Sequence, residues 1–465
     1  MTTINSSLSI GLSGLNAQQL VMSVIGQNIS NVNTPGYSQQ QVNLESSFEI
    51  QTPDGPMGTG VKADGVSRIV DNYLNGQIND NLQQQGAAQA ENQGLTQANE
   101  IFTDEASNNG LSAQMSQFWN AWQALANNPS GSAERTSLVS AGQTMATTIQ
   151  QKYSSLQSIQ SDMDTSISGA VTSVNSIASQ ISNYNSQIAT MEAGGNSAND
   201  LLDQRDTLMN KLSGMINFTS SQDSLGRVTI TLGDGNELVG TSPNGQLTTV
   251  TNASGYQDVA WSSDPSTPIN SSITSGSISG WLNVRDNVVP GYENQLKTLS
   301  QQVIQNVNAL QSSGTGLDGS TGNAFFTGNS ASTIQVNPAI VSNVSLIAAA
   351  AGGDATDLIS GDNTNAVAIA GLQNTLTMNG NSETFDTAYN SLVSNVGTDA
   401  KNASNNLDQQ TTIGNQLTSQ QQSVSGVSLD EQMTNLIQSQ SAYSASAKVI
   451  TTVDQMMATL VSMVQ

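Results

Sequence analysis

Three aspartates, Asp200, Asp203 and Asp206, stand at three-residue spacing around Arg205 in a stretch that reads as the start of a helix. Carboxylate oxygens of this kind are the raw material of a divalent-cation site, but such sites draw more ligands, converging from loops, so the stretch reads as a capped and solvated helix start. Residues 233–237, Gly-Asp-Gly-Asn-Glu, touch on a calcium loop, lack its remaining ligands, and suit a hairpin turn better. Trp119 and Trp122, at helical spacing, read as core and not as a ligand cage. The chain has no Cys and no His, which removes thiolate nucleophiles, disulfides, imidazole bases and nearly every ordinary zinc site. No carboxylate pair sits where one pKa would rise while the other stays low. No catalytic residue, metal ligand or cofactor is expected.

With 11 Lys and Arg against 35 Asp and Glu, the formal net charge of −24 would repel a phosphate backbone, so no nucleic acid partner is expected. The chain's 465 residues are 36% hydrophobic and 10% charged, so neutral Ser, Asn, Gln, Thr and Gly dominate its surface. The first 30 residues hold no Lys or Arg and no continuous apolar block of secretory-signal length. No run of 18 apolar residues occurs, and no membrane span is expected.

The elements that would carry any function are helical and terminal. Leu8, Leu12, Leu15, Met22, Ile25, Ile29 and Val32 follow one helical stripe, and Gly11, Gly14 and Gly26 within it each cost on the order of 1 kcal/mol relative to Ala while allowing close helix approach. The stripe stops at residues 28–37, Asn-Ile-Ser-Asn-Val-Asn-Thr-Pro-Gly-Tyr. Pro35 pushes Thr34 out of the helical region, and Pro35-Gly36 suits the centre of a type II turn, giving a polar elbow. At the other end Leu429, Met433, Leu436, Gln440, Tyr443, Ala447, Ile450, Asp454, Met457, Val461 and Val464 alternate spacings of four and three, a coiled-coil seam opened by a capping box of Ser428 and Glu431.

Between them, residues 51–60 read as loop, 61–64 as a short strand, and Val66, Val70, Tyr73, Leu74, Ile78 and Leu82 as helix. A helix around Met115, Trp119, Trp122 and Leu125 ends before Asn128-Pro129. The stripe over residues 145–191 spans ~70 Å if continuous. A break at Gly194-Gly195 precedes a helix over 200–215. Val228, Ile230 and Leu232 alternate before a hairpin turn and a partner strand at 237–239, Pro243-Asn244-Gly245 is a further turn, and 247–251 a further strand. Helix returns at Val288 with Pro290 in a first turn or kink, residues 314–328 are a Gly-rich loop holding Phe325-Phe326, residues 348–351 read as possible helix, and Leu407, Ile413, Leu417 and Val424 mark a helix ending near Gly426. The expected fold is α+β, mainly α: terminal coiled-coil helices (1–60 with 427–465), a long helical-bundle domain (61–216 and 280–426), and a small inserted β domain (217–279).

The N-terminal helix with its elbow motif, paired with a C-terminal heptad helix, resembles the axial proteins of the bacterial flagellum, and within them the hook-associated proteins of the hook-filament junction. Residues 118–135, residues 199–212 (opening Asn-Asp-Leu-Leu-Asp-Gln-Arg-Asp) and residues 316–328 are similar to further phrases of that family, with Gln39 where Arg is usual, and the chain is shorter than many relatives. The resemblance implies a structural, non-enzymatic subunit for flagellum assembly and motility. Its implied partners are hook protein, a second hook-associated junction protein, further copies of itself in a ring, an FlgN-type export chaperone and the flagellar type III export apparatus. Its implied location is secreted, on the extracellular flagellum. Assembly would rest on Leu8, Leu12, Leu15, Met22, Ile25, Asn28, Ile29, Asn31, Asn33, Thr34, Pro35, Gly36 and Tyr37 at one end, and on Leu429, Met433, Leu436, Tyr443, Ile450, Met457, Val461 and Val464 at the other. A hook or rod subunit and a secreted adhesin or hydrolase are the alternatives. Rod and hook proteins usually carry less helix beside the elbow, and an adhesin has no need of two terminal seams.

Overall fold

A computed structural model describes residues 2–52, 55–103, 110–240, 245–352 and 361–464. Helix α1 (Thr2–Ser30) runs into the elbow, and a two-stranded arm follows, built of β1 (Gln40–Ser46), the hairpin β2 (Glu49–Thr52) and β3 (Gly55–Gly58), and β4 (Val61–Arg68), with β1 and β4 antiparallel. The expected loop at 51–60 is therefore a hairpin, and Val66 lies on a strand rather than a helix. The strand's partner, Gln40–Ser46, opens on two glutamines and offers only Val42 and Leu44 as an alternating apolar pair, too short a signal to mark it. The true helix start is set by Asp71, whose carboxylate accepts from the backbone N–H of Tyr73 and Leu74.

Helices α2 (Asn72–Phe102), α3 (Leu111–Asn127), α4 (Ser132–Ala193) and α5 (Asn199–Ser213) follow. At 62 residues α4 is ~93 Å long, longer than the apolar stripe alone implied, because Gly131 rather than Met145 marks its beginning. Next come β5 (Phe218–Gln222), β6 (Val228–Leu232), β7 (Glu237–Val239), β8 (Leu247–Thr251), β9 (Gln257–Trp261) and β10 (Asp264–Pro268), forming two three-stranded sheets ordered β5-β6-β7 and β10-β9-β8. Residues 233–236 make the expected hairpin turn, with Gly235 at φ 86° and the Asp234 carboxylate accepting from Asn236 N–H at 3.1 Å. Pro243 and Asn244 of the second expected turn lie outside the described residues. The edge strand β10 carries two prolines, which suits an unpaired edge and hid it from a propensity reading.

Helix α6 (Ser277–Asn283) passes through a π-helical stretch at Val284–Val288 into α7 (Val289–Ser313), where Pro290 occupies the first turn. Beyond α7 lie β11 (Thr315–Gly316), β12 (Phe326–Thr327), β13 (Gln335–Val336), α8 (Pro338–Ser342), β14 (Ala348–Ala350) and α9 (Thr364–Gly371). The alanine run at 348–350 pairs with Thr315–Gly316 as a strand, so its helix propensity loses to a tertiary partner. Finally α10 (Phe385–Ser425) packs along α2, and α11 (Leu429–Val464) along α1.

Two hydrophobic cores share α4 as a spine. Its first half, from Leu138 to Met163, packs with α3, α7, α9 and α10 around an aromatic cluster of Phe118, Trp119, Trp122, Phe325, Phe326 and Phe385. Its second half, from Ile167 to Ile181, packs with α5, α6 and the six-stranded region. Trp119 and Trp122 are core, as their spacing implied.

Candidate assembly interface

The elbow is a turn of the expected kind: Tyr37 N–H donates to Thr34 carbonyl at 3.2 Å across Pro35-Gly36, with Gly36 at φ 80°. Glycine suits that conformation best, and a Cβ there would also meet Thr207 Oγ1 of α5 at 2.5 Å. The turn thus rests on α5, the helix that begins Asn-Asp-Leu-Leu-Asp-Gln-Arg-Asp. Two phrases matched separately in the sequence, residues 28–37 and 199–212, form one contact.

Asn28 is the hub of that contact. Its amide donates to Gln40 carbonyl at 2.8 Å and to Gln432 Oε1 at 3.1 Å, while its Oδ1 accepts from Tyr37 hydroxyl at 2.8 Å and from Gln40 N–H at 3.0 Å. One fully satisfied side chain joins α1, the elbow, β1 and α11. The Tyr37 phenol is pushed up to about 12 by burial and by Asp200 and Asp203, so it remains a donor under ordinary conditions.

Of the three aspartates, Asp200 in the first turn of α5 is exposed, as the reading of a solvated helix start expects, whereas Asp203 and Asp206 are drawn into an ion pair. Asp203 is buried; it accepts from Ser38 N–H at 3.0 Å and from Arg68 at 2.6 Å, and Arg68 also reaches Asp206 at 2.9 Å. Asp200 accepts from Gln40 Nε2 at 2.9 Å. Arg205 turns away into the interior, donating to Asn185 Oδ1 at 3.2 Å and to Gly226 carbonyl. The sequence reading treated these charges as exposed because it had no partner to bring to them; Arg68 and the arm supply one. The available signal was scarcity: Lys62 and Arg68 are the only cations in the first 134 residues of an acid-rich chain.

Burial pushes the Asp203 carboxyl above its ordinary value even beside Arg68. Replacing Arg68 by Met is expected to cost about 2–3 kcal/mol in urea unfolding at pH 8, the range for losing hydrogen bonds to a buried charge. With its folded pKa raised further above the unfolded one, Asp203 binds a proton more tightly in the native state, so stability returns as the pH falls through that raised value. The Arg68→Met deficit should therefore shrink from pH 8 to pH 5; a constant deficit would deny Asp203 this role.

The terminal helices pair antiparallel, Asn28 beside Gln432 and Gly14 beside Ser446. A Cβ on Gly11 would come within 2.9 Å of Ile450, and one on Gly14 within 2.9 Å of Ser446 Oγ, so two of the three helix glycines serve close approach; Gly26 faces open space. The stripe of α11 buried here is Gln432, Ser439 and Val453, with Ser446 half-buried between them. That stripe is displaced from the apolar seam read off the sequence. Leu436, Tyr443 and Ile450 flank it half-buried, whereas Leu429, Met433, Met457 and Val461 are exposed, Val461 at 60%. Val464 ends the helix, and its side chain lies outside the described residues.

On α1, Ile25 and Asn28 are buried, Leu15, Met22, Ile29, Asn31 and Tyr37 half-buried, and Leu8, Leu12, Asn33, Thr34, Pro35 and Gly36 exposed. Among the described residues, α1 over Asn5–Ser30 is also the one helix long and apolar enough, by length and composition, to cross a bilayer; 22% of that window is buried, against α11 and the arm. The polar residues that sequence reading missed hold the elbow: Gln40, Arg68 and Gln432, with Asn199, whose amide donates to Val66 carbonyl at 2.9 Å; of the apolar residues it named, Ile25 is buried and the other described ones are half-buried or exposed.

Comparison with known proteins gives three family matches: the helical domain of flagellar hook-associated protein FlgK over residues 95–326, the C-terminal region of the flagellar basal body rod FlgEFG proteins over 419–463, and the flagella basal body rod protein over 8–37. The chain is similar to flagellar hook-associated protein 1 of Bacillus subtilis, 28% identical with 98% of each chain covered. It is similar to that of Escherichia coli, 25% identical over 99% of this chain and 100% of the relative. The alignment to the Salmonella typhimurium relative, 24% identical over 97% of this chain and 98% of the relative, runs to 544 positions against 465 residues here, so that relative carries segments this chain lacks. The solved hook junction protein FlgK from Burkholderia pseudomallei shares the fold, at a TM-score of 0.66 and 17% identity over 75% of this chain and all of that one.

Proposed function

We propose, since the chain belongs to the family of flagellar hook-associated protein 1, FlgK, that its terminal helices are the part by which this flagellar structural subunit is built into the hook-filament junction. The observation that carries the reading is the displaced seam: α11 closes on α1 through small and polar residues and leaves Leu429, Met433, Ile437, Met457 and Val461 in water. Solvated apolar residues along a full helix are a face awaiting a partner. Further copies of the chain in a ring, hook protein on one side and a second junction protein on the other would cover it. The elbow, fixed through Asn28 and Asp203, sets the angle at which the body leaves the axial helices. The body, from 61 to 426 with its β domain at 217–279, would form the outer layers. Export through the flagellar type III apparatus, with an FlgN-type chaperone covering α11 beforehand, places the subunit outside the cell and accounts for how so apolar a helix stays soluble.

The test is binding of purified chain to hooks isolated from a strain lacking it, followed by pelleting. Val461→Asp, which touches nothing in the free chain's core, is expected to unfold like the parent and to bind on the order of tenfold more weakly or worse, since it asks an interface to bury an unpaired charge. Undiminished binding would remove α11 from the interface.

A further inference from the structure

The methionines of this chain are not spread evenly over its surface. Of 14, five are exposed among the described residues, and four of these, Met433, Met456, Met457 and Met463, lie on α11, Met463 at 78%. Met115, Met145 and Met163 are sealed in the helical core. Methionine is the apolar side chain best able to repack against unlike surfaces, which suits a helix that meets more than one kind of neighbour. The same thioether is open to oxidation, and with no Cys in the chain no thiol competes for the oxidant.

We propose that these four thioethers are a modification site for peroxides, and that their oxidation before assembly disables α11; this rests on the reading of α11 as an interface. Each sulfur attacks the O–O bond, keeps one oxygen as the sulfoxide and loses two electrons. The proton on that oxygen passes to the departing hydroxide, which leaves as water, so one peroxide is consumed per methionine. The product is a polar, chiral group where the interface must bury an apolar one. Once neighbouring subunits cover the face, the sulfurs are shielded, so the sensitivity belongs to the free subunit. Reversal needs a sulfoxide reductase and its thiol reductant.

The experiment uses the folded full-length chain, graded hydrogen peroxide, peptide mass spectrometry and binding to isolated hooks. Met433, Met456, Met457 and Met463 should gain oxygen well before Met115, Met145 and Met163, and the oxidised chain should bind roughly tenfold more weakly or worse. The variant with Met433→Leu, Met456→Leu, Met457→Leu and Met463→Leu should bind hooks and keep that binding after peroxide. Full oxidation at all four positions with unchanged binding would overturn the inference, as would equal loss in the leucine variant. Failure of the untreated chain to bind hooks would overturn the interface reading, and this inference with it.

Discussion

Replacing Arg285 with alanine is expected to lower the unfolding free energy by about 3 kcal/mol, the lower end of the range for breaking a buried ion pair. Arg285 is fully buried in the π-helical stretch between α6 and α7. Its guanidinium bonds Asp164 of α4 at 2.7 Å, Asp258 of β9 at 3.2 Å, Asp286 at 2.7 Å and Gln257 carbonyl at 2.6 Å. It therefore ties the helical core to the β core beside the stretch of α4, Met163 to Ile167, where one gives way to the other. Without it three carboxylates converge with no cation between them; their partial exposure to water, 16% to 37%, is why the lower end of the range applies. Arg227, paired with Asp223 on the surface, is the control: its alanine variant should lose no more than about 0.5 kcal/mol. Urea unfolding of both measures the difference, and equal losses would deny Arg285 its role as the joint.

What the sequence disclosed and what it hid divide along physical lines. Long apolar stripes were legible because a helix repeats the same demand every three or four residues, and the Thr34-Pro35-Gly36-Tyr37 turn because proline and glycine act locally. The arm's strands were not, since Gln40–Ser46 becomes a strand by pairing with β4 and its own alternation is limited to Val42 and Leu44. The cation-poor charge network was hidden for a related reason: Arg68, Arg135, Lys152, Arg205 and Arg285 are all drawn inside, to partners far away in the chain. Counting charges showed an acidic protein; it did not show that about half of its few cations are structural. Periodicity likewise identified α11 as a seam without saying which stripe the chain would close on itself. The choice fell to Gly11 and Gly14, whose missing side chains admit Ser446 and Ile450 and so turn the larger apolar residues outward.

That outward face, the elbow locked to α5 and the family membership support the proposal of a subunit whose ends belong to an assembly. The most direct measurement is electron microscopy of cells from which the chain has been deleted, with the culture medium assayed for flagellin. Loss of the junction subunit should leave complete hooks without filaments and monomeric flagellin shed into the medium, and the wild-type chain supplied from a plasmid should restore filaments. Filaments of normal number on the deleted cells, with no flagellin in the medium, would contradict the account.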